Sequence, residues 1–339
     1  MKRIGTLLSL SCILALVTML VPAVASGVSI ASPNAAALDV DDRGKPKPKP
    51  GAPVPPQARA VEKWINAQPK TYMQATSTFQ ITVDPVLVGT EWEAAATRGV
   101  KAAFEIHQML GQPVTRPYRV YIGWDAPWLR ATVPQDACPV IFDYALAAAC
   151  AGSDVIYMRL ALQQQWMPWI TPTSPVSSYA RFSIVGLLGH ELTHHVQQSL
   201  YPLGTTRTYP EASTWLVEGW ASMVQMMIAM RSYGISYSRA RDQQLKVLDT
   251  KCTGIKLKDL LAPTSFTNCE YVSGLLATEY LMWKTGDMRA GWTYVSQDAL
   301  TSREAFSEAY GLDLDTFMEE AEKYVYRELA LWPKREGPK

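Results

Sequence analysis

The chain is poor in histidine and carries almost no net charge. Its 339 residues include only four histidines, and 32 basic against 31 acidic side chains leave a formal net charge of +1. So balanced a charge creates no long-range field that would attract nucleic acid. We therefore expect no nucleic-acid partner. With 48% hydrophobic and 19% charged residues, the composition is that of a globular protein able to bury a core.

Cysteine is also scarce, and no two cysteines show the Cys-x-x-Cys spacing of common zinc sites. Cys12 lies in an N-terminal apolar run, which leaves Cys138, Cys150, Cys252 and Cys269. In a chain bound for an oxidising compartment such cysteines are expected to form disulfides. Four cysteines allow three pairings. The pairs Cys138–Cys150 and Cys252–Cys269 are favoured because they close short loops.

The first 25 residues have the pattern of an export signal. Two basic residues precede an apolar run from Ile4 to Val21, and Ala23-Val24-Ala25 fits the small-residue rule for cleavage. An uncleaved anchor is the alternative, because the run approaches the roughly 20 residues needed to span a bilayer. The Ala-x-Ala site favours cleavage. We expect a secreted or extracytoplasmic protein with no transmembrane segment after cleavage.

A Pro- and Lys-rich segment, residues 26–57, separates this signal from the rest of the chain. Its repeated Lys-Pro pairs favour an extended polyproline conformation and cannot form a core. The segment is interpreted as a disordered linker or a propeptide. The folded domain is expected to comprise residues 58–335.

The predicted elements of this domain indicate the α+β class. A helix is predicted over Thr90–Leu110, and two strand-like runs, Arg119–Gly123 and Asp154–Arg159, flank a loop-rich insert. From residue 177 onward the patterns are helical. They cover Ser177–Leu200, Pro210–Ser232, Cys269–Thr285 and Thr301–Leu331. A small mixed sheet with helices would therefore be followed by a helical subdomain.

Three of the four histidines stand in the stretch Gly189-His190-Glu191-Leu192-Thr193-His194-His195. On a helix, His190 and His194 lie one turn apart on the same face, so that both imidazoles can reach one metal ion. Glu191 lies beside them, where its carboxylate could polarise a water molecule. This is the arrangement that His-Glu-x-x-His provides for zinc hydrolysis. Apolar residues occupy the opposite face: Val185, Leu188, Leu192 and Val196.

A catalytic zinc site needs a third protein ligand. His195 points about 100° away from His194 on a helical wheel, so its expected roles are supporting or at the surface, and His107 is expected to be structural. Glu218 is the remaining candidate, because it lies on the polar side of an otherwise apolar helix. Antiparallel packing of the two helices would bring Glu218 to His190 and His194.

The combination of His190-Glu191-x-x-His194 and Trp215-x-x-Glu218-Gly219-x-Ala221 resembles the gluzincin group of zinc metallopeptidases, in particular its peptidase MA-like members. The resemblance extends from about residue 153 to 331. It implies a zincin-like fold with the site between the two halves, Zn²⁺ bound by His190, His194 and Glu218, and Glu191 as general base. It also implies that a strand at Asp154–Arg159 forms the sheet edge that binds peptide, whereas an ordinary strand inside the sheet would fit the same fold.

Such families often carry a downstream tyrosine that stabilises the oxyanion of the tetrahedral intermediate. Tyr271-Val272-Ser273-Gly274 has the matching Tyr-x-x-Gly form, which assigns Tyr271 a catalytic role by resemblance. A tyrosine packed in the core would fit the same position. Tyr280 is the alternative donor.

Two departures from the group bear on specificity. The Gly-x-Met-Glu-Asn pattern of its large aminopeptidases is absent, which argues against that activity. Ser222 stands where thermolysin-like enzymes have an aspartate that supports a ligand histidine. The supporting hydrogen bond must therefore come from another residue.

The expected function is that of a secreted, monomeric, zinc-dependent peptidase acting on a peptide or protein substrate. Zinc-activated water would attack the peptide carbonyl, with Glu191 as the base. Two alternatives stay open: a non-catalytic surface or cell-wall binding protein on a peptidase-like scaffold, and a zinc hydrolase of a non-peptide amide.

Overall fold

A computed structural model describes most of the expected domain. The described residues are 53–68, 79–112, 117–134, 149–151, 155–161, 170–176, 178–200, 214–248, 252, 254–261, 269–297 and 301–335. The expected signal peptide, most of the expected linker, and Cys138 lie outside them. None of the described helices combines the length and the hydropathy required to cross a bilayer.

The described strands form one sheet in the order β1-β2-β4-β3. Their bounds are β1 Phe79–Val83, β2 Tyr118–Gly123, β3 Ala149–Ala151 and β4 Val155–Arg159. Strands β1, β2 and β4 run parallel, whereas β3 pairs antiparallel with β4. Strands β2 and β4 confirm the two predicted strands. The expectation that Asp154–Arg159 is an edge strand is wrong, because β4 has partners on both sides and the edge beyond it is β3.

Helices surround this sheet and form the C-terminal part of the described chain. Their bounds are α1 Pro56–Ala67, α2 Glu91–Met109, α3 Ala126–Thr132, α4 Ser178–Leu200, α5 Thr214–Tyr233, α6 Tyr237–Leu248, α7 Cys269–Thr285, α8 Ala290–Val295, α9 Ser302–Tyr310 and α10 Leu314–Arg335. The protein thus belongs to the α+β class, as the sequence predicted. Helix α1 begins at Pro56, and the buried side chain of Gln57 lies inside it although the sequence placed residue 57 in the linker.

Local signals explain where several helices begin and end. Thr90 caps α2 by accepting a hydrogen bond from the backbone N–H of Glu93. The predicted helical pattern over Thr301–Leu331 is divided into α9 and α10 at Gly311, which adopts a positive φ of 65°. That left-handed conformation ends a helix and is cheapest for glycine.

A buried ion cluster joins α6, α7 and α10. The Nε atom of Arg241 donates to both carboxylate oxygens of Glu279, at 3.1 and 2.9 Å. Its Nη2 atom donates to Glu328 Oε2 at 2.9 Å and to the Tyr324 hydroxyl at 3.1 Å. The guanidinium is almost fully buried, and its fork of donors satisfies both carboxylates.

A disulfide between Cys252 and Cys269 attaches the first residue of α7 to the preceding segment, with the two Cα atoms 5.3 Å apart. It agrees with one of the two sequence-local pairings. The other pair, Cys138–Cys150, includes a residue outside the described part of the chain. Because Cys269 begins α7, the disulfide restrains the N-terminal turn of that helix.

The backbones of α5 and α7 meet at two glycines. A Cβ atom added to Gly219 would lie 2.2 Å from the carbonyl oxygen of Gly274, and one added to Gly274 would lie 2.2 Å from the carbonyl oxygen of Trp215. Both distances are far below van der Waals contact, and the neighbouring atoms belong to backbone that cannot rotate away. The crossing therefore requires glycine on both helices.

We expect Gly274→Ala to lower the free energy of unfolding by about 1–3 kcal/mol, because the added methyl must separate α7 from α5. Denaturant unfolding followed by circular dichroism measures the loss. Ser307→Ala, at an exposed position of α9, serves as control and should change stability by less than about 0.5 kcal/mol. Equal stability of the two variants would contradict the backbone contact.

Candidate metal centre

Helices α4 and α5 bring together the three residues predicted from the sequence to be metal ligands. His190 and His194 lie one turn apart on α4, and Glu218 lies on α5. The Nε2 atoms of the two histidines are 3.0 Å apart. Glu218 Oε2 lies 3.3 Å from Nε2 of His190 and 3.2 Å from Nε2 of His194. All three side chains are at most 2% exposed.

Packing on the opposite side of α4 orients the two histidines. Leu188, Leu192 and Val196 are buried there in the hydrophobic core, as their spacing predicted. At Gly189 an added Cβ would lie only 1.8 Å from Cδ1 of Ile228 on α5. Gly189, next to His190, thus lets α5 approach α4 closely. Gly219, next to Glu218, allows the same close approach between α5 and α7.

The hydrogen bond that supports His194 comes from its own helix. Nδ1 of His194 lies 2.9 Å from Oε1 of Gln197, whose Nε2 atom donates to the backbone oxygen of Val217 at 3.0 Å. Gln197 was missed by the sequence reasoning, although its position three residues after His194 was a usable signal. Ser222 is buried, and its hydroxyl has no hydrogen-bond partner among the described residues.

The three side chains shift one another's protonation. Burial opposes ionisation of Glu218, but His194 and His190 outweigh it and hold the pKa of that carboxyl at about 2. Burial would also lower the pKa of His194, yet the adjacent Glu218 carboxylate raises it above its usual value. For His190 burial prevails, and its pKa is lowered. The site therefore keeps an ionised carboxylate away from solvent, which requires a positive partner.

The geometry and the donor types fit a metal ion. If Nδ1 of His194 donates to Gln197, its Nε2 atom carries a lone pair that faces the Glu218 carboxylate. Two lone-pair donors about 3 Å apart repel each other unless a cation or a proton lies between them. A tetrahedral ion with bonds of about 2.1 Å separates its ligand atoms by roughly 3.4 Å, close to the observed spacing. The His190, His194 and Glu218 group can therefore hold a metal ion.

Glu191 lies in the same buried environment. It is 1% exposed, and within the described chain its Oε1 atom has no hydrogen-bond partner. Burial, opposed by His194 and reinforced by Glu218, raises the pKa of Glu191 to about 7. A carboxylate whose pKa lies near neutrality can both accept and release a proton.

Of the two tyrosines considered on α7, Tyr271 is the one that borders this group. Its ring centroid lies 5.6 Å from that of His190, and its buried hydroxyl has no hydrogen-bond partner within the described segments. Burial, with Glu218 and Glu191 nearby, raises the pKa of Tyr271 well above 10, so the hydroxyl stays protonated. Tyr280 instead bonds Glu320 and stacks on Tyr324, both on α10.

The other two histidines have separate surroundings. His195 is buried, which rules out the surface position considered for it, and its ring packs edge-on against Tyr118 at 4.7 Å. His107 is fully buried, 3.3 Å from the Thr193 hydroxyl, and burial lowers its pKa to about 3. A neutral, hydrogen-bonded His107 has the structural role that the sequence suggested.

No protein-family model matches the sequence, and no curated protein shows significant similarity to it. The chemistry of the metal centre must therefore be argued from its own residues.

We expect the purified protein to bind about one equivalent of a divalent metal, and chelation to lower its melting temperature. At a free metal concentration 100 times the Kd, binding adds about 2.7 kcal/mol of stability. His194→Ala should abolish both the bound metal and the effect of the chelator. Metal analysis and thermal unfolding measure these changes.

His195→Ala is the matched control, because His195 neighbours His194 on the same helix and is also buried. It should retain the metal and the response to chelator. Loss of metal from both variants to the same extent would argue against the assigned ligands.

Proposed function

We propose that this protein is a secreted zinc-dependent peptidase of the gluzincin type. One observation carries the proposal: the buried carboxyl of Glu191, whose Oε1 atom has no hydrogen-bond partner among the described residues, stands beside a group of two histidines and a glutamate. A purely structural metal site has no need of a proton acceptor next to its ligands.

Zinc is the metal that this ligand set favours. Two imidazole nitrogens and one carboxylate oxygen are the three protein ligands of a common class of catalytic zinc sites, which keep a fourth position for water or substrate. When bound, zinc supplies Lewis acidity and lowers the pKa of water. The two imidazole nitrogens and the Glu218 oxygen lie 3.0 to 3.3 Å from one another, a spacing that suits the short bonds of zinc.

Glu191 would move the proton during peptide hydrolysis. As a carboxylate it accepts the proton of the attacking water, and as a carboxylic acid it gives that proton to the leaving amine. Its buried position beside His194 and Glu218 would allow the same carboxyl group to perform both steps. The Tyr271 hydroxyl, protonated and without a partner in the described structure, would donate to the oxyanion that develops on the carbonyl.

The sheet offers a place for an extended substrate. Among the described strands, β3 is the edge strand next to β4, and it contacts α4, the helix that carries His190 and His194. An extended peptide can add to such an edge through backbone hydrogen bonds. In this proposal β3 takes the role that the sequence assigned to Asp154–Arg159.

The disulfide supports secretion. Cys252 and Cys269 are fully buried and bonded, and disulfides of this kind persist in oxidising compartments. The apolar N-terminal run with its Ala-x-Ala site is consistent with export to such a compartment.

Glu191→Gln tests the general base. The variant should retain zinc, because Glu191 is not a proposed ligand, and should lose about 10²- to 10⁴-fold in kcat on a peptide library. Glu105→Gln, the same change at an exposed position of α2, should leave kcat unaltered. If wild type binds zinc but cleaves no peptide, or Glu191→Gln cleaves as fast as wild type, the peptidase proposal fails.

Tyr271→Phe tests the oxyanion donor. Loss of the hydroxyl should lower kcat by about 10²- to 10³-fold with little change in KM or zinc content, because the donor acts mainly in the transition state. Tyr280→Phe is the matched control, since its hydroxyl bonds Glu320 instead. Equal losses in both variants, or none in Tyr271→Phe, would remove Tyr271 from the mechanism.

A further inference from the structure

Both ends of the Gln197 side-chain amide are engaged in the interior. Gln197 lies on α4, one turn after His194, and is completely buried. Its oxygen is 2.9 Å from Nδ1 of His194, and its nitrogen is 3.0 Å from the backbone oxygen of Val217. A fully buried amide with two good partners has little freedom to rotate or flip.

These contacts define the amide orientation and, through it, the protonation of His194. The backbone oxygen of Val217 can only accept a hydrogen bond, so the amide nitrogen of Gln197 must face it. The amide oxygen then faces His194 and accepts the proton on Nδ1. Nε2 of His194 consequently presents its lone pair toward Glu218 and the metal centre.

The same side chain ties the two ligand helices together. Val217 immediately precedes Glu218 on α5, so the hydrogen bond from Gln197 holds the backbone turn that carries the third ligand. One residue thereby orients His194 directly and restrains Glu218 through its neighbour.

A neutral amide suits this position better than an ionised carboxylate. Glu191 and Glu218 already place two carboxyl groups in the buried site, and a third negative charge would have to be desolvated with them. An ionised carboxylate would also oppose the carbonyl of Val217, because two acceptors cannot bond each other.

We propose that Gln197 is a positioning residue of the metal centre, which sets the tautomer of His194 and fixes the α5 turn that bears Glu218. Ser222, which stands where thermolysin-like enzymes have a supporting aspartate, makes no hydrogen bond among the described residues. The inference rests on the proposed zinc site but not on peptide hydrolysis.

The test measures zinc affinity by competition with a chromophoric chelator, on the full-length protein. Gln197→Met fills the same space without hydrogen bonds and should weaken zinc binding by about 10- to 100-fold. The absorption spectrum of the cobalt-substituted variant should shift, because the His194 ring is no longer held. Gln197→Glu should weaken zinc binding less than Gln197→Met, because a carboxyl oxygen can still accept the proton on Nδ1 of His194.

Ser222→Ala is the control, because Ser222 is buried on α5 and its hydroxyl has no partner among the described residues. Its zinc affinity and cobalt spectrum should match those of wild type. If Gln197→Met does not fold, Gln197→Asn replaces it, because the shorter amide cannot reach both partners and should show the same loss.

Unchanged zinc affinity in the folded Gln197 variants would overturn the inference while leaving the zinc site intact. Failure of Gln197→Glu to bind zinc better than Gln197→Met would also overturn it. Absence of zinc binding by wild type would instead overturn the proposed metal centre, and this inference with it.

Discussion

The close crossing of α5 with α4 and α7 controls how near His190, His194 and Glu218 can come to one another. Gly189 and Gly219 each stand next to a metal-centre residue, and each lies where a neighbouring helix leaves no room for a Cβ atom. Without that approach Glu218 could not come within 3.3 Å of both histidines. Packing of apolar side chains around the crossing supplies the free energy that holds the polar groups in place.

Burial of those polar groups is unfavourable in itself, and it also shifts their protonation. An ionised Glu218 in the interior must be compensated by protons on the histidines or by a metal ion. The same low-polarity surroundings raise the pKa of Glu191 to about 7, where proton transfer is efficient. Burial of the surrounding apolar side chains offsets this cost.

Elements with strong local signals were predictable. Helix α2 was expected over Thr90–Leu110 and lies at Glu91–Met109, because Thr90 provides a cap that any sequence reading can find. Helix α6 was not predicted, since its polar sequence becomes stable through the buried contacts of Arg241 with Glu279 and Glu328, which are distant in the chain. Strand β3 contains only Ala149–Ala151, and it exists because β4 offers an edge.

The one-turn spacing of His190 and His194 follows from the sequence alone, because helical periodicity is a local property. The sequence also indicated Glu218 as the third candidate ligand. Tertiary packing is needed to place the Gln197 amide between His194 and the backbone oxygen of Val217. It also makes β3 rather than β4 the edge of the described sheet. The structure also places Tyr271, which the Tyr-x-x-Gly form had favoured over Tyr280, next to His190. The hydrogen bond from Gln197 to Val217 and the pairing of β3 with β4 depend on which elements pack together, and no local pattern in the sequence indicates such contacts.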